Sequence, residues 1–381
     1  MKILMQNRRD VFSVPGGDTI QMMKTKEALE KKYEDVSIDI STELKPNLDS
    51  YDLVHLFNVT RVHETYTQLQ NAKRQNKPVV VTPIYHSLVA LGNYEKNGRV
   101  GLLKLLNTLI PNKTFVEGLK NLIRTIKDPK QFQPTLKQLE IGYVEQQRLV
   151  LEEADILFPI AKEEYNCFKE ELNISHDRYL VVPNGVDYIE NNDLNKKEID
   201  VHGQQITNYI LCVARIENRK NQIGLINALK NTNYKIIFVG AKNPKQKKYF
   251  QEFIKLIDNK NYFYLGKVDH DKIMNLYKNA RVHVLPSWFE VVPLVDIEAA
   301  LSGCEIVTSK NSYIKEYLGD NAFYCDPSNS ESIKENVALA FKNQKNDIEL
   351  FNKMKSYKWE NVIDNSYIGY KEVLKSKNEE M

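Results

Sequence analysis

The chain runs to 381 residues with 42% hydrophobic content, long enough for two or three domains and rich enough to bury two ordinary cores. Its 53 basic residues against 50 acidic ones leave a net charge of +3, a balance that excludes a dedicated nucleic-acid binder. The four cysteines, Cys167, Cys212, Cys304 and Cys325, show no paired metal-type spacing and read as reduced core residues; with no signal-like leader and no run near the ~20 apolar residues of a membrane span, the expected location is the cytoplasm.

A first strand at 3–5 leads to Pro15-Gly16-Gly17-Asp18, after which a helix begins near Thr19. The two glycines either let the backbone approach a ligand or make an ordinary strand-to-helix turn, and the residues leave both readings open. Further strands are expected at 36–40, 53–57, 79–84, 156–160 and 180–182. His86, in Val81-Thr82-Pro83-Ile84-Tyr85-His86-Ser87, lies just past a strand end, as a site residue or as a satisfied loop histidine. Residues 96–137 are the most basic part. There Phe115, Leu119, Leu122, Ile123 and Ile126 make one helical face, and Lys120, Arg124 and Lys127 fall opposite. Such a helix either packs with a solvated charged face or lies on an anionic membrane surface.

Residues 188–207, rich in Asn, Asp, Glu and Lys, read as a linker. Beyond them strands are expected at 209–213, 236–239, 262–265, 282–285, 306–308 and 323–325, separated by segments of helical periodicity. The two alternating halves predict an α/β protein with two doubly wound, Rossmann-like parallel sheets and a ligand bound where their strand carboxyl ends face each other across a cleft. Asp269-His270-Asp271 has the spacing of a carboxylate pair on a divalent metal. It precedes the helical pattern Ile273, Leu276, Tyr277, however, and helix capping explains it more simply.

Two segments carry the chemistry. In Pro286-Ser287-Trp288-Phe289-Glu290-Val291-Val292-Pro293-Leu294-Val295-Asp296-Ile297-Glu298-Ala299-Ala300, Pro293 suits the first helical position, Leu294, Ile297 and Leu301 make an apolar stripe, and Gly303 is placed to end the helix. Glu290 and Glu298 then stand at opposite ends of a strand-loop-helix elbow. That suits a long polar ligand with its diphosphate over the helix N-terminus, although both residues also read as ordinary loop and surface glutamates. Upstream, Val213-Ala214-Arg215-Ile216-Glu217-Asn218-Arg219-Lys220-Asn221-Gln222 sets Arg215 and Lys220 after a strand, two cations fit to neutralise a departing diphosphate or merely to make a basic turn.

With these segments the chain resembles family 4 of the retaining glycosyltransferases, enzymes of the GT-B fold whose C-terminal half carries Pro-Ser-x-x-Glu-(seven residues)-Glu-Ala. The resemblance implies that Glu298 binds the ribose of a nucleotide-sugar, that Glu290 lies near its sugar and phosphates, and that Arg215 and Lys220 stabilise the diphosphate. It places Val292, Pro293 and Leu294 against the donor and likens Leu265-Gly266-Lys267-Val268 to the turn that meets the base. Val182-Pro183-Asn184-Gly185-Val186-Asp187 resembles the turn closing the N-terminal domain, with Asn184 toward the donor and a positive φ at Gly185. Gly16 and Gly17 would border the ligand and His86 the acceptor. Trp359-Glu360 resembles the tail that crosses back to the first domain. The implied domains are an acceptor-side domain at 1–190, a nucleotide-sugar domain at 205–355 and a crossing helix at 356–381.

The implied reaction moves a sugar from a uridine or guanosine diphosphate donor to a glycan or lipid-linked acceptor in polysaccharide or glycoconjugate synthesis. It keeps the anomeric configuration and requires no cofactor and no essential metal. Residues 96–137 would meet the cytoplasmic face of a membrane. The chain departs from the family at Val291 and Pro293, where glycines are usual, and at Asn221, which also replaces a glycine. A nucleotide-sugar epimerase of the same fold is one alternative, and the first two departures leave room for another, a non-catalytic binding subunit.

Overall fold

The computed structural model describes residues 1–99, 113–126, 128–187, 197–343 and 348–380. The chain divides into two units. The first comprises Met1–Leu88, Leu105–Gly185 and Tyr357–Met381; the second comprises Val89–Lys104 and Val186–Ser356. Residues 89–99 therefore belong with the second unit although the first half of the sequence supplies them.

The first unit is a five-stranded parallel sheet of β1 (Lys2–Gln6), β2 (Ser37–Ser41), β3 (Leu53–Phe57), β4 (Val79–Thr82) and β5 (Ile156–Leu157), in the order β2-β1-β3-β4-β5. β3 and β4 are buried along their whole length, which is why they read as near-continuous apolar runs: helices cover both faces of a parallel sheet. Two strands end earlier than their sequence predicts. β4 stops at Thr82 because Pro83 has no N–H and Ile84 takes φ +50°, off the extended region. β5 stops at Leu157, two residues before Pro159. The strand expected at 180–182 is reduced to a single bridge between Leu157 and Tyr179, continued by the Leu180 and Val182 N–H groups donating to Leu157 and Pro159. Pro159 and Pro183 cannot return those bonds.

The chain's later residues complete this unit. Helices Trp359–Val362 and Asp364–Glu380 bring Tyr367 to stack on Tyr33 at 3.7 Å, Asp364 to within 2.6 Å of Lys32, and Trp359 and Tyr370 into the core with Ile3, Met5 and Val182. The Tyr370 hydroxyl lies 2.7 Å from His55 Nδ1, whose other ring nitrogen meets Thr82 Oγ1 at 2.8 Å. Burial pushes the His55 pKa down to about 3, so the ring is neutral in the middle of the sheet. Gly185 corrects an expectation. Among the described residues positive φ falls on six other glycines and not on Gly185; what demands glycine there is Trp359, whose Cδ2 would stand 2.4 Å from an added Cβ.

The second unit holds a six-stranded parallel sheet of β8 (Ile210–Val213), β9 (Ile236–Val239), β10 (Tyr262–Tyr264), β11 (Val282–Leu285), β12 (Glu305–Ser309) and β13 (Phe323–Cys325), ordered β10-β9-β8-β11-β12-β13. Ahead of it, part of the expected linker is instead an antiparallel hairpin of β6 (Ile199–Val201) and β7 (Gln204–Ile206). Its two-residue loop, His202 and Gly203, takes φ +53° and +80°, the left-handed pair that a tight hairpin needs. Residues 188–196 of that linker lie outside the described residues. The strand order reverses between β8 and β11, the topological switch point at whose carboxyl ends open parallel sheets bind ligands.

Candidate donor site

The loops that follow β8 and β11 carry the cations and the first glutamate. After β8, a 3-10 turn at Asn218–Lys220 ends on Asn221, which takes φ +58° and donates through Nδ2 to the Pro327 carbonyl. The left-handed geometry explains why a position expected to prefer glycine holds asparagine, the side chain that best tolerates it. The turn aims Lys220 Nζ at Glu290 Oε1, 2.5 Å away, and Arg219 Nη1 at Glu290 Oε2, 3.3 Å away. Arg219 also meets Glu217 at 3.3 Å and lies 5.3 Å from the Phe289 ring centre. Arg215 meets Glu217 at 3.8 Å.

Three cations, Arg215, Arg219 and Lys220, therefore gather on two carboxylates, Glu217 and Glu290. Burial opposes the charged form of Glu290, but Arg219 and Lys220 outweigh it and hold its carboxyl at about 2. Arg219 was not foreseen; in the sequence it is one more basic residue of a turn, and only the 3-10 geometry turns it toward Glu290.

Beyond Glu290, helix Leu294–Leu301 begins one residue later than expected, with Pro293 as its N-cap, and ends before Gly303 at φ +80°. No side chain caps its first turn. Val291 and Val292 are buried, with 6% and 7% of their surfaces exposed, and Pro293 is buried too, whereas Leu294 is half-buried. Asp296 points inward, its Oδ1 3.1 Å from Nε2 of His283 on β11, both fully buried. Glu298, one turn along the helix, is the opposite of Glu290. Among the described residues no cation or hydrogen-bond donor meets its carboxylate, and burial together with Asp187 pushes its pKa up to about 7. One carboxylate is thus held ionised by cations; the other is poised to accept hydrogen bonds it lacks.

At the ends of β9 and β10 the backbone crowds. Gly240, at φ +145°, donates to the Gly266 carbonyl at 2.8 Å, and a Cβ on it would lie 2.0 Å from the Ala214 oxygen. Gly266 takes φ +71°, and Lys267 beside it is exposed, Val268 half-buried. Asp269 occupies the N-cap position of helix His270–Asn279 but its side chain makes no capping bond, which corrects the capping expectation. Among the described residues no three His, Cys, Asp or Glu side chains gather as a metal site.

Residues 195–359 match the family model described as glycosyl transferases group 1. O-antigen chain mannosyltransferase B of Escherichia coli is 25% identical over 173 residues, 43% of this chain and 45% of that protein. The chain spans about half the length of the curated relatives it matches. Over nearly whole lengths it is similar to sucrose-phosphate synthase from Thermosynechococcus elongatus, at 14% identity, 99% and 100% coverage of the two chains and a TM-score of 0.67. HepE of Anabaena in complex with UDP and glucose is similar at 15% identity, 100% and 98% coverage and a TM-score of 0.55. The fold is GT-B.

The remaining sequence-predicted residues lie in the first GT-B unit. Gly16 is the N-cap of helix Gly17–Lys32 in extended geometry, φ −141°, and its N–H donates to Thr19 Oγ1 at 3.0 Å; Gly17 has open space where a Cβ would stand. Asp18 beside them is buried and receives Arg8 Nε at 2.8 Å and Asn58 Nδ2 at 3.0 Å. The loop carrying the half-buried His86 is held by two glutamates: Tyr85 N–H donates to Glu164, and Ser87 Oγ and Leu88 N–H donate to Glu171, all at 2.6 Å. Asn184 is buried.

The basic helix is Lys113–Thr125, and its faces differ from expectation. Ile123 and Ile126 are 60% and 81% exposed, whereas Arg124 is half-buried and bonded to Asn121 Oδ1. The helix turns Asn121 inward because its neighbours there are polar: Asn121 Nδ2 meets Gln138 Oε1 at 2.6 Å and His63 Nδ1 at 3.2 Å. Residues 100–112 and Lys127, and the side chains of Phe115, Leu119 and Lys120, lie outside the described residues.

Proposed function

We propose that this chain is a retaining glycosyltransferase that moves a sugar from a nucleoside diphosphate donor to a glycan or lipid-linked acceptor. The observation that carries this reading is the pairing of a cation cluster, Arg219 and Lys220 on Glu290 with Arg215 beside Glu217, with the Glu298 carboxylate on the following helix, which meets no cation or donor among the described residues. The cations take the diphosphate and stabilise its charge as the bond to the sugar breaks. Glu298 accepts from the ribose hydroxyls, and Glu290 orients Lys220 and Arg219 while facing the sugar. Val292, Pro293 and Leu294 border the donor's phosphates at the uncapped helix start, and Gly266, Lys267 and Val268 border the base. In a retaining displacement the acceptor hydroxyl attacks on the face the diphosphate leaves, and a phosphate oxygen takes its proton. No dedicated base is needed, and none is assigned.

His86, Gly16, Gly17 and Asn184 serve the acceptor and the donor's sugar end, in an acceptor-side domain at 1–190; 205–355 is the donor domain and 356–381 the returning tail. The group 1 match and the O-antigen mannosyltransferase likeness support a glycan acceptor, and the UDP complex of HepE supports a nucleotide-sugar donor, uridine- or guanosine-linked. Among the described residues no helix is long and apolar enough to cross a membrane. Exposed Ile123 and Ile126 support a cytoplasmic protein that rests on a membrane surface beside a lipid-linked acceptor.

A panel of nucleotide-sugars tested by thermal shift, without and with chelator, checks the reading. The true donor at about 100 times its dissociation constant should add ~2.7 kcal/mol to stability. Lys220→Ala should cut turnover with that donor at least ~100-fold, and the product's anomeric proton, read by NMR, should match the donor's configuration. Turnover of the donor without any acceptor would indicate an epimerase, and no shift with any donor a binding subunit.

A further inference from the structure

Residues 89–99 leave the first unit's sequence neighbourhood and pack in the second, through a short helix, Leu88–Asn93, and a π-helical turn, Tyr94–Gly98. π-Turns are rare and concentrate at functional sites. Ala90 and Tyr94 join Trp288 and Phe289 in a small apolar cluster separate from the main cores, with the Tyr94 ring 5.5 Å from Phe289 and 6.1 Å from Trp288. Gly98 lies against the Trp288 indole so closely that a Cβ would stand 2.3 Å from Cε2. Its carbonyl accepts from Asn218 Nδ2 at 2.6 Å.

Each of these partners adjoins the cation cluster. Asn218 opens the 3-10 turn that carries Arg219 and Lys220, Trp288 donates its N–H to the Arg219 carbonyl at 2.8 Å, and Phe289 lies under the Arg219 guanidinium. The two loops that must meet for Arg219 and Lys220 to grip Glu290 are thus both held by one segment, which reaches them from elsewhere in the chain.

We infer that residues 89–99 are a positioning element for the diphosphate site, with Tyr94, Gly98 and Asn218 as positioning residues that set Arg219 and Lys220 through the Trp288–Phe289 loop. This rests on the reading of that cluster as the diphosphate site. The strap's contacts through Tyr94 and Gly98 fall on the loops that carry the charges, whereas helix Leu294–Leu301 with Glu298 packs on β11 and β12. Disturbing the strap should therefore weaken a ligand's second phosphate and spare its nucleoside.

The test measures, by calorimetry, the affinities of UDP, GDP and ADP beside their monophosphates for the full chain and for Gly98→Val, Asn218→Ala and Lys220→Ala. The preference for diphosphate over monophosphate should fall at least tenfold in Gly98→Val and at least threefold in Asn218→Ala, with monophosphate affinity kept. A general loss of fold would weaken both ligands alike, and Asn218→Ala, which adds no bulk, serves if Gly98→Val does not fold. If Lys220→Ala loses the preference while both strap variants keep it, the strap inference is overturned and the site reading stands. If Lys220→Ala keeps it, or no nucleotide binds the unaltered chain, the site reading fails and the strap inference with it.

Discussion

At the scale of single residues, the two glutamates divide by what surrounds them. Glu290 is ionised because two cations outweigh its burial, whereas Glu298, equally enclosed but without a cation, is pushed up to about 7 from an ordinary value of 4.5. A carboxyl with a raised native pKa binds more protons folded than unfolded. Its contribution to stability is thus fully present below about 4.5 and is lost as pH rises toward about 7. Ribose hydroxyls donating to Glu298 favour its charged form, so binding a nucleoside diphosphate at pH 7 should release about half a proton. Calorimetry in buffers of different ionisation enthalpy measures that number, and Glu298→Gln should abolish it while gaining stability relative to the unaltered protein between pH 5 and 8. A proton count of zero in the unaltered protein would remove Glu298 from the nucleotide contact.

Among the elements, the second sheet was legible because its strands are short buried runs bounded by turn residues, and the Glu290 to Glu298 elbow because helix and strand periods differ so plainly there. What stayed hidden depends on partners far away in sequence. Val291 and Pro293, where glycines are usual, look like intruders beside a ligand, yet both are buried. Ile123 and Ile126 read as a face either packed or laid on a membrane; they are exposed, because polar Asn121, Gln138 and His63 occupy the inner side of that helix. The 199–206 hairpin is too short and polar to announce itself. Gly185 reads as a turn glycine, but its role is to let helix Trp359–Val362 approach, with the Trp359 Cα 2.7 Å and its indole 2.4 Å from where a Cβ would be. Gly185→Ala should therefore destabilise the protein by ~1–3 kcal/mol, the usual effect of overpacking, visible in urea titrations as a lower midpoint. If alanine there is neutral, the tail is not held as tightly as this contact implies.

At the scale of the whole molecule, the first unit is assembled from three stretches of sequence and the second from two. Deleting residues after Ser356 removes Trp359 and Tyr370 from the first core and leaves the His55 ring without its Tyr370 partner. Limited proteolysis of that truncated chain should cut within 1–185 and spare a fragment near 197–343; equal resistance throughout would mean the tail is dispensable to the first sheet. The same interleaving governs synthesis. About 170 residues separate Gly185 from Tyr357, on the order of ten to thirty seconds of translation at about 5–20 residues per second. Through that interval the second unit's larger piece is itself emerging, and the first core, already lined by Met22 and Leu29, lacks Trp359 and Tyr370. The part of the chain that emerges first is therefore the part that finishes last, and His55 waits for its tyrosine until the final residues are made.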